Sequence, residues 1–102
     1  MSKKNGTLYL VLKEPWFSMI KAGEKLEEYR DNTAFYQRRF YKSMDAKDNE
    51  FQKYDRLVLA LGYTKDPKKR LVFRNPKFRV GEGQTKWGAE PGKVYFIITW
   101  DR

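Results

Sequence analysis

The chain reads as a single α+β domain spanning residues 1–102, a partly closed mixed β-barrel of five to six strands with two short helices inserted early. Three observations predict it. Apolar runs of strand length recur at 7–12, 56–62, 71–73, 78–80 and 93–99. Two stretches with helical spacing, 15–22 and 33–41, both fall before the second of those runs. Glycine, proline and Asx residues punctuate the intervals, and 102 residues suffice for one modest core.

Taken in order, Leu8, Leu10 and Leu12 alternate with Tyr9 and Val11, so the first strand is expected to be central and covered on both faces. Pro15 suits the first turn of a helix, where a missing N–H costs nothing, and Gly23 suits the position just past its end. Trp16 and Ile20 should pack that helix, with Trp16 assigned to the core. Asp31-Asn32-Thr33 supplies N-cap residues for a second helix bearing Tyr36 and Phe40. Residues 42–53 lack periodicity and read as a long loop pinned by Phe51. Leu57 to Leu61 is a strand buried on both sides, suited to a barrel wall, and Asp66-Pro67 marks the turn after it. Leu71–Phe73 and Phe78–Val80 flank Asn75-Pro76 as a pair of strands or one bent strand. Gly81-Glu82-Gly83 offers freedom for a bulge or turn, 84–92 is a loop holding Trp87, and 93–99 is the closing strand.

Charge narrows the partners. The formal net charge is +9, and seven basic residues fall between Lys65 and Arg79 against the single Asp66. Such a balance attracts polyanions, chiefly through counterion release from phosphates; the plain alternative is a charge that only keeps the protein soluble. No apolar run approaches the eighteen or so residues of a membrane span, and the N-terminus lacks a signal-type apolar stretch. Without cysteine there is no disulfide framework. A cytoplasmic, membrane-free monomer is the expectation.

The organising stretch is Gly23-Glu24-Lys25-Leu26-Glu27-Glu28-Tyr29-Arg30-Asp31. As a helix it would send Lys25 and Arg30 apart; extended, it sets Glu28 and Arg30 on one face at the period of two, able to pair or to grip one ligand. Lys25 would sit at the entrance, just past the glycine. The bland reading is a solvated edge strand of alternating charge.

The spacing Gly23-x-Lys25-x-x-Glu28-x-Arg30 resembles the signature of the ASCH family, small domains with a PUA-like barrel. Gly81-x-Gly83-x-x-x-Trp87-Gly88, followed by Val94 to Trp100, is similar to the closing segment of bacterial and phage-type members. The resemblance implies a cleft beside the Gly-x-Lys motif for a nucleotide or a splayed-out base. Members are regarded chiefly as RNA-binding modules. Some are hydrolases: one branch cleaves RNA, and another removes acyl groups from modified cytidine. That last branch carries a threonine three residues after the lysine, where this chain has Glu28.

The residues themselves restrict the chemistry. With neither histidine nor cysteine, the commonest general base, thiol nucleophiles and ordinary zinc sites are all excluded. Glu27 and Glu28 point to opposite faces of a strand and make no metal pair, and no cofactor is expected. Two functions follow. In an RNA- or nucleotide-binding module, Lys25 and Arg30 would meet phosphate or base oxygens, with Glu28 holding Arg30. Arg38, Arg39, Lys68, Lys69, Arg70, Arg74 and Lys86 would add charge, and Trp87, Tyr63 and Tyr41 could stack on bases. Arg38 and Arg39 also have a structural role open to them, at the C-terminal end of a helix dipole. In a small hydrolase, burial would lower the Lys25 pKa and make it a base, with Glu28 shuttling the proton, although Glu28 itself favours charged Lys25.

Overall fold

In the computed structural model, which describes residues 6–43 and 50–102, five strands form one sheet. They are β1 (Thr7–Leu12), β2 (Glu28–Asp31), β3 (Arg56–Leu61), β4 (Arg70–Glu82) and β5 (Val94–Asp101). Helices α1 (Trp16–Lys21) and α2 (Ala34–Phe40) both precede β3. The strand order is β1-β3-β4-β5-β2, with β1 parallel to β3 and all other neighbours antiparallel. The mixed sheet curls into a half-barrel until its two end strands approach, and Arg30 of β2 spans the seam to the Val11 carbonyl of β1.

β1 corrects one expectation. It lies at the end of the sheet, and its two apolar sets have different fates: Leu8, Leu10 and Leu12 enter the core, while Tyr9 is 41% exposed. β3 is covered on both sides, with Leu57 through Ala60 all buried. Its Leu57 and Leu59 join Leu8, Leu10, Phe17, Ile20, Phe40, Phe96 and Ile98 in the main core. β5 divides its apolar residues between two cores, since Tyr95 and Ile97 face the opposite way, onto Ala89 and Tyr29.

The connections follow local chemistry. At the end of α1, Gly23 takes φ +83°, its N–H donates to Ile20 O (3.0 Å), and the Glu24 N–H reaches back to Met19 O (2.8 Å). This is a Schellman turn, which satisfies carbonyls the helix end would leave open and needs a residue without a Cβ penalty at positive φ. Thr33 caps α2, its hydroxyl accepting from the Tyr36 N–H. The described ends of the 42–53 loop are closed by a bridge between Tyr41 and Phe51, whose rings stack at 5.0 Å; residues 44–49 lie outside the described part. β4 is one bent strand: its register breaks between Arg74 and Lys77, so that Pro76, with no N–H to give, falls where no ladder bond is required. Before that break β4 pairs with β3, with Arg74 also opposite Asp101 of β5, and after it β4 pairs with β5 alone. No helix among the described residues is long and apolar enough to cross a membrane.

Candidate functional site

The Schellman turn decides where the central motif goes. It reverses the chain so that the Lys25 N–H also bonds to Met19 O (3.1 Å), and the side chain turns inward. Lys25 is only 1% exposed. Its Nζ donates to Glu28 Oε1 (2.9 Å) and to the Glu27 carbonyl, and lies 5.0 Å from the Tyr29 ring centroid and 5.9 Å from that of Trp16. Burial pushes the Lys25 pKa down; the Glu28 carboxylate pushes back and the Arg30 guanidinium adds to the lowering, leaving it below the ordinary 10.5.

Glu28 and Arg30 do share a face of β2, as the period of two requires. Arg30 donates from Nε (3.1 Å) and Nη2 (2.9 Å) to Glu28 Oε2, a two-point grip on one carboxylate oxygen. Its Nη1 donates to the Tyr36 hydroxyl (2.9 Å), and Nη2 also reaches Val11 O (2.7 Å). Lys25, Glu28 and Arg30 therefore form one continuous chain of charge, running from the interior to the seam. The carboxylate serves both cations, which suits a desolvated cluster in which every charge has a partner.

Two hollows open from the seam, and Arg30 lines both. The smaller, about 300 Å³, is bounded by Trp16, Glu28, Tyr29 and Tyr36 among others. The larger, about 820 Å³, lies between β1, α2 and the segment after β3. Its wall carries Lys13, Arg39, Lys65 and Arg70 beside Arg30, and no carboxylate; Tyr9, Phe35 and Tyr63 supply exposed aromatic surface. Arg39 donates to Tyr9 O (3.0 Å) and lies over the Phe35 ring. Arg70 lies 5.3 Å from the Tyr9 ring centroid, donates to Thr64 O (2.9 Å), and keeps a buried Nε with no acceptor among the described residues. The gathering of cations beside aromatic rings is the geometry that anionic, ring-bearing ligands require.

Several sequence-based placements change. Lys25 is not at the entrance: it lines neither hollow and lies behind Glu28. Trp87 is buried, so its faces are not open to a base, and Lys86 lies over its ring, with neither residue lining the hollows at Arg30. Tyr41 packs against Phe51 and Phe96 at the main core. Trp16, assigned to the core from its stripe, is half-buried and walls the smaller hollow. Arg38, Lys68 and Lys69 are exposed but line neither hollow, whereas Arg39 and Arg70 line the larger one. Arg74 is exposed farther along β4, beside a separate hollow. Tyr63, 96% exposed, is at the larger hollow. Sequence reasoning missed Lys13, Tyr36 and Tyr9 as wall residues. Tyr36 had a visible signal, its place on the stripe of a helix that directly follows the Arg30 strand.

A second polar cluster covers the other side of β2. The Tyr29 hydroxyl donates to Glu27 Oε1 (2.7 Å) and accepts from the Gln84 N–H (2.9 Å), while Arg79 Nη2 donates to Glu27 Oε2 (2.8 Å). Burial pulls the Glu27 carboxyl upward, but the hydrogen bonds from Arg79 and Tyr29 outweigh it and hold the group below 4.5. Burial pushes the Tyr29 hydroxyl up, the Gln84 N–H opposes, and the Glu27 carboxylate adds to the rise. A Cβ on Gly83 would fall 2.6 Å from the Tyr29 ring, so only glycine lets the loop close over it.

Among the described residues, no group of three or more carboxylates is placed to hold a metal ion. Comparison with protein-family models, with curated proteins and with solved structures finds no match to this chain.

Proposed function

We propose that the protein is a PUA-like module of ASCH type that binds single-stranded RNA or a nucleotide in the larger, cationic hollow at Arg30, in the cytoplasm. The observation that carries the reading is the wall of the larger hollow, where five cations and three exposed aromatic rings meet with no carboxylate among them. Phosphates would take Lys13, Arg39, Lys65 and Arg70, and a base would lie against Tyr9 or Tyr63. Arg30 is held by Glu28 and Tyr36 in one orientation, so it presents its charge without loss of rotamer freedom on binding. Lys25 supports from behind.

The hydrolase reading keeps one point in its favour, the lowered pKa of Lys25. Against it, the ammonium is 1% exposed and already donates to two oxygens, so a substrate could reach it only by displacing Glu28. Binding is the better account.

Fluorescence anisotropy with labelled single-stranded RNA over a salt series tests it. Affinity should fall as salt rises, with a log–log slope of roughly −0.7 per phosphate contacted. Lys65→Ala with Arg70→Ala should weaken binding and flatten that slope. No binding at low salt, or a slope near zero, refutes the reading.

A further inference from the structure

The outward face of β1, β3 and β4 carries a second, separate concentration of positive charge. The paired registers give three rows across those strands: Thr7–Arg56–Arg74, Tyr9–Val58–Val72 and Val11–Ala60–Arg70. Leu57 and Leu59 belong to the main core, so these rows lie on the opposite side of the sheet from it; Val58 and Ala60 are themselves buried there, and the open surface is that of Tyr9, Arg56, Val72 and Arg74. At one end of the face, Arg70 and Tyr9 border the larger hollow at Arg30. At the other, Arg56 and Arg74 stand directly opposite one another at a hollow of about 640 Å³. Tyr9 and Val72, both exposed, lie in the row between.

Like charges directly opposite on neighbouring strands destabilise a sheet. Neither guanidinium forms an ion pair among the described residues. Two carboxylates lie near. Asp55 borders the same hollow, and Asp101, opposite Arg74 on β5, accepts from Asn75 Nδ2 (3.0 Å) and approaches Lys77. A bound phosphate between Arg56 and Arg74 would turn their repulsion into a shared grip.

We infer that Arg56 and Arg74 form a second phosphate-binding subsite, and that a single RNA strand runs along the outward face from the Arg30 hollow past Tyr9 and Val72 to reach it. The four residue steps from Arg70 to Arg74 cover about 13 Å of strand, so one phosphate cannot sit at both ends. The ligand class is therefore an oligonucleotide in place of a free nucleotide. The inference rests on the RNA reading above and narrows it.

The test compares wild type, Arg56→Ala/Arg74→Ala and Lys21→Glu, an exposed change of equal net charge away from this face. Binding of a mononucleotide and of a single-stranded oligoribonucleotide is measured over a salt series, with thermal melting as the fold control. Wild type should bind the oligomer more tightly than the mononucleotide. The double variant should lose about 0.7 from the oligomer's log–log slope, the value for the one phosphate the pair shares, keep mononucleotide affinity, and melt no lower than wild type, since two opposed cations are removed. Lys21→Glu should keep the slope. If wild type binds RNA but the double variant matches it, or Lys21→Glu flattens the slope equally, the subsite is wrong and the Arg30 reading survives. If wild type binds the mononucleotide as tightly as the oligomer, the track is wrong. If wild type binds no RNA at low salt, both readings fall.

Discussion

Arg30 Nη2 donates to the Val11 carbonyl at 2.7 Å, a side-chain bond where a closed barrel would carry a strand ladder. The same guanidinium grips Glu28 and meets the Tyr36 hydroxyl, so one residue ties β1, β2 and α2 together. Arg30→Lys keeps the charge but not the planar fork, and cannot reach all three acceptors at once. The expected cost is about 2–3 kcal/mol, read by urea unfolding, with RNA affinity reduced as well. A variant as stable as wild type would show that the seam does not depend on this bond.

Lys25 separates support from contact. Lys25→Ala removes a buried cation beside Glu28 and empties the space its stem fills, and is expected to cost about 3 kcal/mol, the low end of the usual range because Arg30 still pairs the carboxylate. Lys25→Met refills that space and should lose less. If Lys25 acts only from behind, Lys25→Met binds RNA within about twofold of wild type, a difference of roughly 0.4 kcal/mol. A loss equal to that of Arg30→Ala would place its ammonium on the ligand.

Glu27 sets part of the acid response. Its folded pKa lies below 4.5, so the folded state favours the ionised form. The stability it contributes is complete above 4.5 and is lost as pH falls through the folded value. Glu27→Gln should therefore flatten the decline in urea midpoint between neutral and acid pH. An unchanged acid limb would mean that the Arg79 and Tyr29 bonds do not favour the carboxylate in solution.

Gly83 offers a steric test. Gly83→Ala places a Cβ 2.6 Å from the Tyr29 ring and 2.8 Å from the Ala89 Cβ, and should destabilise by about 1–3 kcal/mol. Adding Tyr29→Leu should recover part of that loss, because it removes the ring in the way. Two fully additive effects would argue against the contact.

What could be seen in the residues alone divides along physical lines. The pairing of Glu28 with Arg30 follows from a period of two, which needs no tertiary knowledge. The burial of Lys25 does not, because it depends on a turn meeting two rings, Trp16 and Tyr29, brought from different elements. Tyr9 misled for a related reason: an all-apolar alternation cannot distinguish a central strand from an end strand whose outer residues wall a hollow. The bend in β4 was visible as Asn75-Pro76, although whether it split the strand was settled by which partner, β3 or β5, each half found. The larger hollow was the least legible feature, since Lys13, Phe35 and Lys65 converge only once the sheet has curled.

Arg30 and Arg39 between them occupy two successive outward carbonyls of β1, those of Val11 and Tyr9. A strand margin with open carbonyls is a template on which another copy can add its own strand, and so the starting point of a fibre. Here two guanidinium stoppers block that growth. Glu28 and Tyr36 fix Arg30 in that orientation, so the stopper at Val11 is set by the same bonds that set the central cation of the hollow.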